Sequence, residues 1–202
     1  MALPASDTFT GVNGTHPPNA NWTAIDGNMQ IQGNEVCGYD NSDNACRWTA
    51  DAFNSKHYSK LKFSANISSS GVAVGPAIRC QADANFFYAF RDGDGNEYVG
   101  QCIAGSCTDW EGFAGPAVGV VMELWVDATT ETTIIYKEDG VTVKTYTSKN
   151  ALSGGYAGIC AYANHTGHRG DDWVGGDVGG AASVMPFFVA GRLGGDANRM
   201  MG

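Results

Sequence analysis

The sequence predicts an all-β protein: an antiparallel two-sheet jelly-roll sandwich with a C-terminal extension. Three observations carry this. Apolar and polar residues alternate at period two in several segments. No segment holds an apolar period of about 3.6 residues between helix caps. The 28 glycines are spread between the alternating runs, as many tight connections require.

The elements follow in order. In "KLKFSANIS", Leu61, Phe63, Ala65 and Ile67 point one way while Lys62, Ser64 and Asn66 point the other. Segments 72–80, 85–91 and 96–103 are further strand candidates. In "VVMELWVD", Met122, Leu124 and Val126 share one face, and Val121, Glu123, Trp125 and Asp127 share the opposite one. "TTIIYKEDGVTVKTYT" forms a hairpin, because Asp139-Gly140 suits a type I′ turn. The last candidate is 155–163. Leu61, Phe63, Ile67, Met122, Leu124 and Val126 are expected between the two sheets. Short strands at this spacing imply a sandwich.

Composition bounds the function. At 202 residues the chain is long enough for a real core without disulfides. No linker is visible before residue 179, where "GGDVGGAAS" changes the composition. Residues 1–179 are therefore expected to form one jelly-roll domain, and 180–202 an assembly tail. Twelve basic against 21 acidic residues leave a net charge of −9, which repels phosphate backbones and anionic membranes. Neither nucleic acid nor a membrane is an expected partner. The start "MALPASDTF" has no basic n-region and no apolar h-region, so synthesis in a cytoplasm is expected. The cysteines at 37, 46, 80, 102, 107 and 160 make no C-x-x-C pair. Buried, reduced thiols are expected, with a bridge across the "CIAGSC" turn between Cys102 and Cys107 as the alternative.

Several segments carry a resemblance. "SDTFTG" followed by "NWTAIDGNMQIQGNEV" is similar to the opening of concanavalin-like (laminin-G-like) jelly-roll modules. "MELWVDATTETTIIYKEDGVTV" resembles their strand and hairpin, and "SGGYAGICAYA" with "DDWVGGDV" resembles their closing strands. The texture also resembles modules of tailed-phage virion proteins. The resemblance implies the fold over about residues 6–178. It leaves function open, because that fold hosts lectins, glycosidases, adhesins and virion proteins.

Each candidate site has a plain structural role as its alternative. Glu123, Trp125 and Asp127 share one strand face, where relatives with glycosidase activity carry Glu, Asp and Glu. Trp stands at the centre here. Residues four apart on a strand are ~13 Å apart, whereas a glycosidase needs its carboxyls at about 5–9.5 Å. A sugar platform on Trp125 remains, against a Trp125 that is simply packed. Asp92, Asp94 and Asn96 begin a calcium-loop pattern but lack its Gly and its bidentate Glu, so a polar hairpin tip is expected. His165, His168, Arg169, Asp171 and Asp172 gather in a segment expected to be solvated, and its Arg169-Gly170-Asp171 tripeptide carries little weight alone. No metal, no cofactor and no catalytic residue is expected, and the protein is read as a non-enzyme.

The tail holds the remaining candidates. Phe187, Phe188 and Leu193 could each contribute ~1.5–3 kcal/mol if buried. Ordering the backbone costs about 1–2 kcal/mol per residue, so the tail is expected to need a partner surface. Arg192 and Arg199 suit an acidic neighbour, including a copy of the same chain. The leading expectation is a virion structural protein on the virion surface: a capsid decoration or auxiliary protein clamped through this tail to shell subunits, to itself, or to both. The alternative is a glycan-binding, lectin-like module, which would fit a secreted location. The third reading is a glycoside-active enzyme.

Overall fold

The computed structural model describes residues 3–69, 71–147 and 152–179. These hold fifteen strands and no helix. The first five are β1 (Ala5–Asp7), β2 (Trp22–Asp26), β3 (Met29–Ile31), β4 (Val36–Gly38) and β5 (Asp43–Trp48). The next five are β6 (His57–Ala65), β7 (Ala73–Gln81), β8 (Asn85–Asp92), β9 (Asn96–Ile103) and β10 (Ser106–Ala114). The last five are β11 (Val121–Val126), β12 (Ile134–Glu138), β13 (Val141–Tyr146), β14 (Tyr156–Tyr162) and β15 (Arg169–Asp177). Sheet A runs β13-β12-β11-β6-β15-β4-β3, with β1 added on β15. Sheet B runs β10-β9-β8-β7-β14-β5-β2. Every pairing is antiparallel. The expected tail, with Phe187, Phe188, Arg192, Leu193 and Arg199, lies outside the described residues.

The alternation works as the sequence implies. Leu61, Phe63, Met122, Leu124 and Val126 are fully buried. Ile67 departs from the expectation: β6 ends at Ala65, and Ile67 sits half-buried beyond it, beside Gly167. Asp139 and Gly140 adopt φ of 46° and 81°, as a type I′ turn between β12 and β13 requires.

Between the sheets lies a core centred on three tryptophans. Trp173 meets Trp22 at 4.7 Å and Trp48 at 5.1 Å between ring centroids. Each indole N–H has an acceptor: Asp7 for Trp22, Asp51 for Trp48 and the Ser59 hydroxyl for Trp173. Ser59 in turn donates to the Gly158 carbonyl at 2.6 Å. This relay ties β15 and β6 of sheet A to β14 of sheet B. His57 makes a second tie, accepting the Arg79 amide at Nε2 while its Nδ1 faces the Asn54 carbonyl.

Sheet B also rolls on itself. Its edge strands are β10 and β2, yet a Cβ built on Gly105, at the β9–β10 tip, would lie 3.9 Å from the Asp26 carboxylate of β2. The inside of the roll holds a second cluster: Ala45, Ala77, Cys80, Phe86, Tyr88, Cys102 and Cys160, with Ile25 and Phe90 packed on it. Hence "NFFYAFRD" is apolar on both faces. Phe87 and Ala89 enter the sandwich core; Phe86, Tyr88 and Phe90 enter the roll.

The cysteines correct one expectation. Cys102 and Cys107 stand directly opposite each other in the β9–β10 register and are bonded as a disulfide. Cys37, Cys46, Cys80 and Cys160 are free and buried, as expected. Burial pushes the Cys37 thiol up to about 11 and the Cys46 thiol to about 12. Unfolding without reductant should therefore release four titratable thiols from a native protein that shows almost none at pH 8. Reduction should raise the total to six. Six thiols without reduction would contradict the bridge.

Candidate functional site

The sequence's first candidate lies on the outer face of sheet A. Pairing sets Trp125 between Tyr58 of β6 and Ile135 of β12, and Glu123 between Lys60 and Lys137. The Trp125 ring stacks on Tyr58 with centroids 4.3 Å apart. The Lys137 ammonium lies 4.2 Å from its centre, and Lys60 lies 5.1 Å away. The indole N–H donates to Glu123 at 2.9 Å, and Glu123 is ion-paired with Lys60 at 2.9 Å. Trp125 is thus packed by its cross-strand neighbours and offers no free platform. Asp127 is not brought to this cluster. It lies beyond β11 and accepts the Thr129 and Thr130 amides at 2.8 and 2.9 Å. The Thr129 hydroxyl and these amides hold its carboxyl down at about 2.

The other polar candidates have structural partners too. Asp92 accepts the Asn96 amide at 2.7 Å and closes the β8–β9 turn. His168, expected in solvent, is 2% exposed, packs on Phe63 and bonds the Arg91 carbonyl through Nε2 at 2.7 Å. His165 instead takes the Gly167 amide at Nδ1. Arg169, Gly170 and Asp171 open β15, where Arg169 is ion-paired with Glu35, so the tripeptide is no exposed tip. Among the described residues, no three His, Cys, Asp or Glu side chains are placed to hold a metal ion.

Among the described residues, a concave feature lies at the mouth of the sheet B roll. A small pocket opens there, lined by Asp43, Asn44, Phe86, Tyr88, Phe90, Cys107, Cys160, Ala161 and Tyr162. Antiparallel pairing of β14 with β5 puts Tyr162 directly beside Asp43. Tyr162 is 43% exposed, so its ring is available, unlike that of Trp125. Tyr88 and Phe90 stack at 5.0 Å with a 15° tilt. Tyr88 lies over Gly100, where an added Cβ would come within 2.4 Å of the phenol oxygen. Its hydroxyl donates to Asp109 at 2.7 Å.

Asn44 positions this mouth. Its Oδ1 accepts the Asn28, Tyr39 and Asp40 amides, and its Nδ2 donates to the Asp40 and Ser42 carbonyls. That network fixes the start of β5 and with it Asp43. Burial, and then the Asp109 carboxylate, raise the Asp43 pKa. Burial, and then Asp43, raise that of Asp26. Aromatic faces beside carboxylate acceptors in a concavity can hold a polyhydroxylated ring: its apolar face on Tyr162, its hydroxyls toward Asp43.

The strand candidates 85–91 and 155–163 carry no site expectation from the sequence. The signal was present in the aromatic residues at 86, 88 and 90, which alternate on the face opposite Phe87 and Ala89.

No protein-family model matches the chain, and no curated protein sequence matches it. Solved structures do. The carbohydrate binding module CBM66 from Bacillus subtilis superposes with a TM-score of 0.56 at 12% identity, covering 78% of this chain and 93% of that one. A Bacillus subtilis protein of unknown function with a galectin-like fold gives 0.55 at 11% identity, over 83% and 96%. A Bacillus licheniformis beta-glucanase gives 0.50 at 12% identity, over 85% and 96%. At these identities the likeness shows the fold alone. It establishes the two-sheet jelly roll that the sequence implies.

Proposed function

We propose that the chain is a carbohydrate-binding module that takes a sugar ring at the mouth of the sheet B roll. The observation that carries this reading is the exposed Tyr162 ring paired with the Asp43 carboxylate in an aromatic-floored pocket. Asp43 accepts from sugar hydroxyls. Asn44 acts only through position, since its amide is committed to the backbone around it. One neighbour named above is a carbohydrate binding module, which supports the reading.

Binding without cleavage is part of the proposal, although one neighbour is a glucanase. Glu123 is spent on Lys60 and Trp125, and Asp127 on a turn. Asp109 is engaged by Tyr88. Incubation with oligosaccharides should release no reducing ends.

The virion-decoration reading rests on residues 183–202, which lie outside the described residues, and nothing in the three neighbours points to a virion. The glycan reading takes precedence for that reason. Its test is a glycan array followed by calorimetry on any hit. Tyr162→Ala should weaken binding by about tenfold, the loss of one stacking ring. Unchanged affinity in that variant would remove the site from consideration.

A further inference from the structure

The pocket is one-sided in charge. Among its lining residues there is an acid, Asp43, and no lysine or arginine. Asp109 of β10 bonds the hydroxyl of Tyr88, which lines the pocket beside Asp43. Its charge acts on Asp43, and that of Asp43 acts on Asp26 of β2. No group among the described residues donates a hydrogen bond to the Asp43 carboxylate, whereas Asp109 has Tyr88. Cations sit elsewhere. Lys60 and Lys137 surround Trp125 on the far sheet, and Arg47 of β5 lies over the Tyr156 ring at 4.9 Å. Phe90 and Tyr162 present aromatic faces to the same space, and such faces attract cations as well as apolar surfaces.

An uncharged sugar would satisfy the hydroxyl-accepting role of Asp43 but leave the carboxylate repulsion in place. An acidic sugar would add to it. A sugar bearing an ammonium would relieve it, with its positive charge close to an unbridged, half-buried carboxylate where screening by water is reduced. We infer that the preferred ligand of this pocket is an amino sugar with a free amine, of the glucosamine type, held by Asp43 and with Asp109 and Asp26 as the surrounding field. The inference rests on the carbohydrate-binding reading above and adds the chemical class. No bond is made or broken.

The test compares four β-1,4-linked oligomers of equal length by calorimetry on the full chain at low salt: glucosamine, N-acetylglucosamine, glucose and a uronic acid. The glucosamine oligomer should bind at least about tenfold more tightly than the glucose oligomer. N-acetylation, which removes the charge, should erase that advantage, and the uronate should not bind. Near 1 M salt the amine and neutral oligomers should converge, because the Debye length falls to about 3 Å. Asp43→Asn, with its melting temperature checked, should bring the glucosamine oligomer down to the neutral one. Equal affinity for the amine and neutral oligomers, or any preference for the uronate, overturns the amino-sugar inference while leaving glycan binding intact. Binding of none of the four overturns the inference, and a blank glycan array would then remove the carbohydrate reading as well.

Discussion

Replacing Trp173 by Ala is expected to cost about 3–5 kcal/mol of folding stability, the usual range for deleting a fully buried indole. Trp173 has no exposed surface and contacts both other core tryptophans. Its removal also takes the indole N–H from Ser59, the hydroxyl that joins sheet A to the Gly158 carbonyl of sheet B. For a domain of this length the loss should lower the melting temperature by roughly 10 °C. Trp125→Ala is the control. That ring is half-buried on an outer face, against Tyr58 and two lysines, and its loss should cost no more than about 1–2 kcal/mol. Thermal melts of the two variants decide the matter. Equal losses would mean that the tryptophan cluster is not the centre of the core.

The second large effect is a stability profile shaped by two buried groups. His57 is fully buried, and burial lowers its pKa from 6.5 to about 4. Between those values the unfolded chain binds a proton that the folded one refuses, so stability falls as pH falls. Glu97 is also fully buried, and neither carboxylate oxygen has a hydrogen-bond partner. Burial, with Glu138 adding to it, raises its pKa from 4.5 to about 8, against the Tyr136 hydroxyl and the Arg91 guanidinium. There the folded chain keeps a proton that the unfolded one releases, so stability falls as pH rises.

The two slopes cancel between 4.5 and 6.5, where both groups act. Above 6.5, of these two groups, only Glu97 acts, at about 1.4 kcal/mol per pH unit. On the order of 2 kcal/mol should therefore be lost between pH 6.5 and 8. The raised Asp26 and Asp43 act in the same direction. Glu97→Gln mimics the protonated acid. It should leave stability at pH 5 nearly unchanged and raise it at pH 8, flattening the alkaline limb. Denaturant unfolding at the two pH values measures this. A wild-type protein that gains stability from pH 6.5 to 8 would show that Glu97 is ionised and paired in the fold.

Much of the fold was legible because its strands bury one face. The alternation at Leu61 and Phe63, and at Met122, Leu124 and Val126, is enforced by a pleat with core on one side and solvent on the other. The Asp139-Gly140 turn was legible because few residue pairs tolerate two positive φ angles. β10 escaped notice because it is an edge strand, exposed along nearly its whole length, whose "SCTDWEGFA" has no pattern to read. The proposed site was harder still. Asp43 and Tyr162 are far apart in sequence and meet only through the β5–β14 pairing, and Asp109 joins them only because sheet B rolls. Nothing local in the chain encodes that curvature, whereas the local run Glu123, Trp125, Asp127 drew attention to the outer face of sheet A. Its members looked like a platform because period two places them on one face. The register then filled that face with Tyr58, Lys60 and Lys137.

The most direct measurement is a chemical-shift map of the labelled protein titrated with the tightest oligosaccharide from the array. The two faces are separable in one spectrum. Shifts are expected to concentrate at Asp43, Asn44, Phe90 and Tyr162, with the Trp125 indole N–H unmoved. Shifts centred on Trp125, Tyr58 and Lys137, with the mouth of the sheet B roll silent, would contradict it.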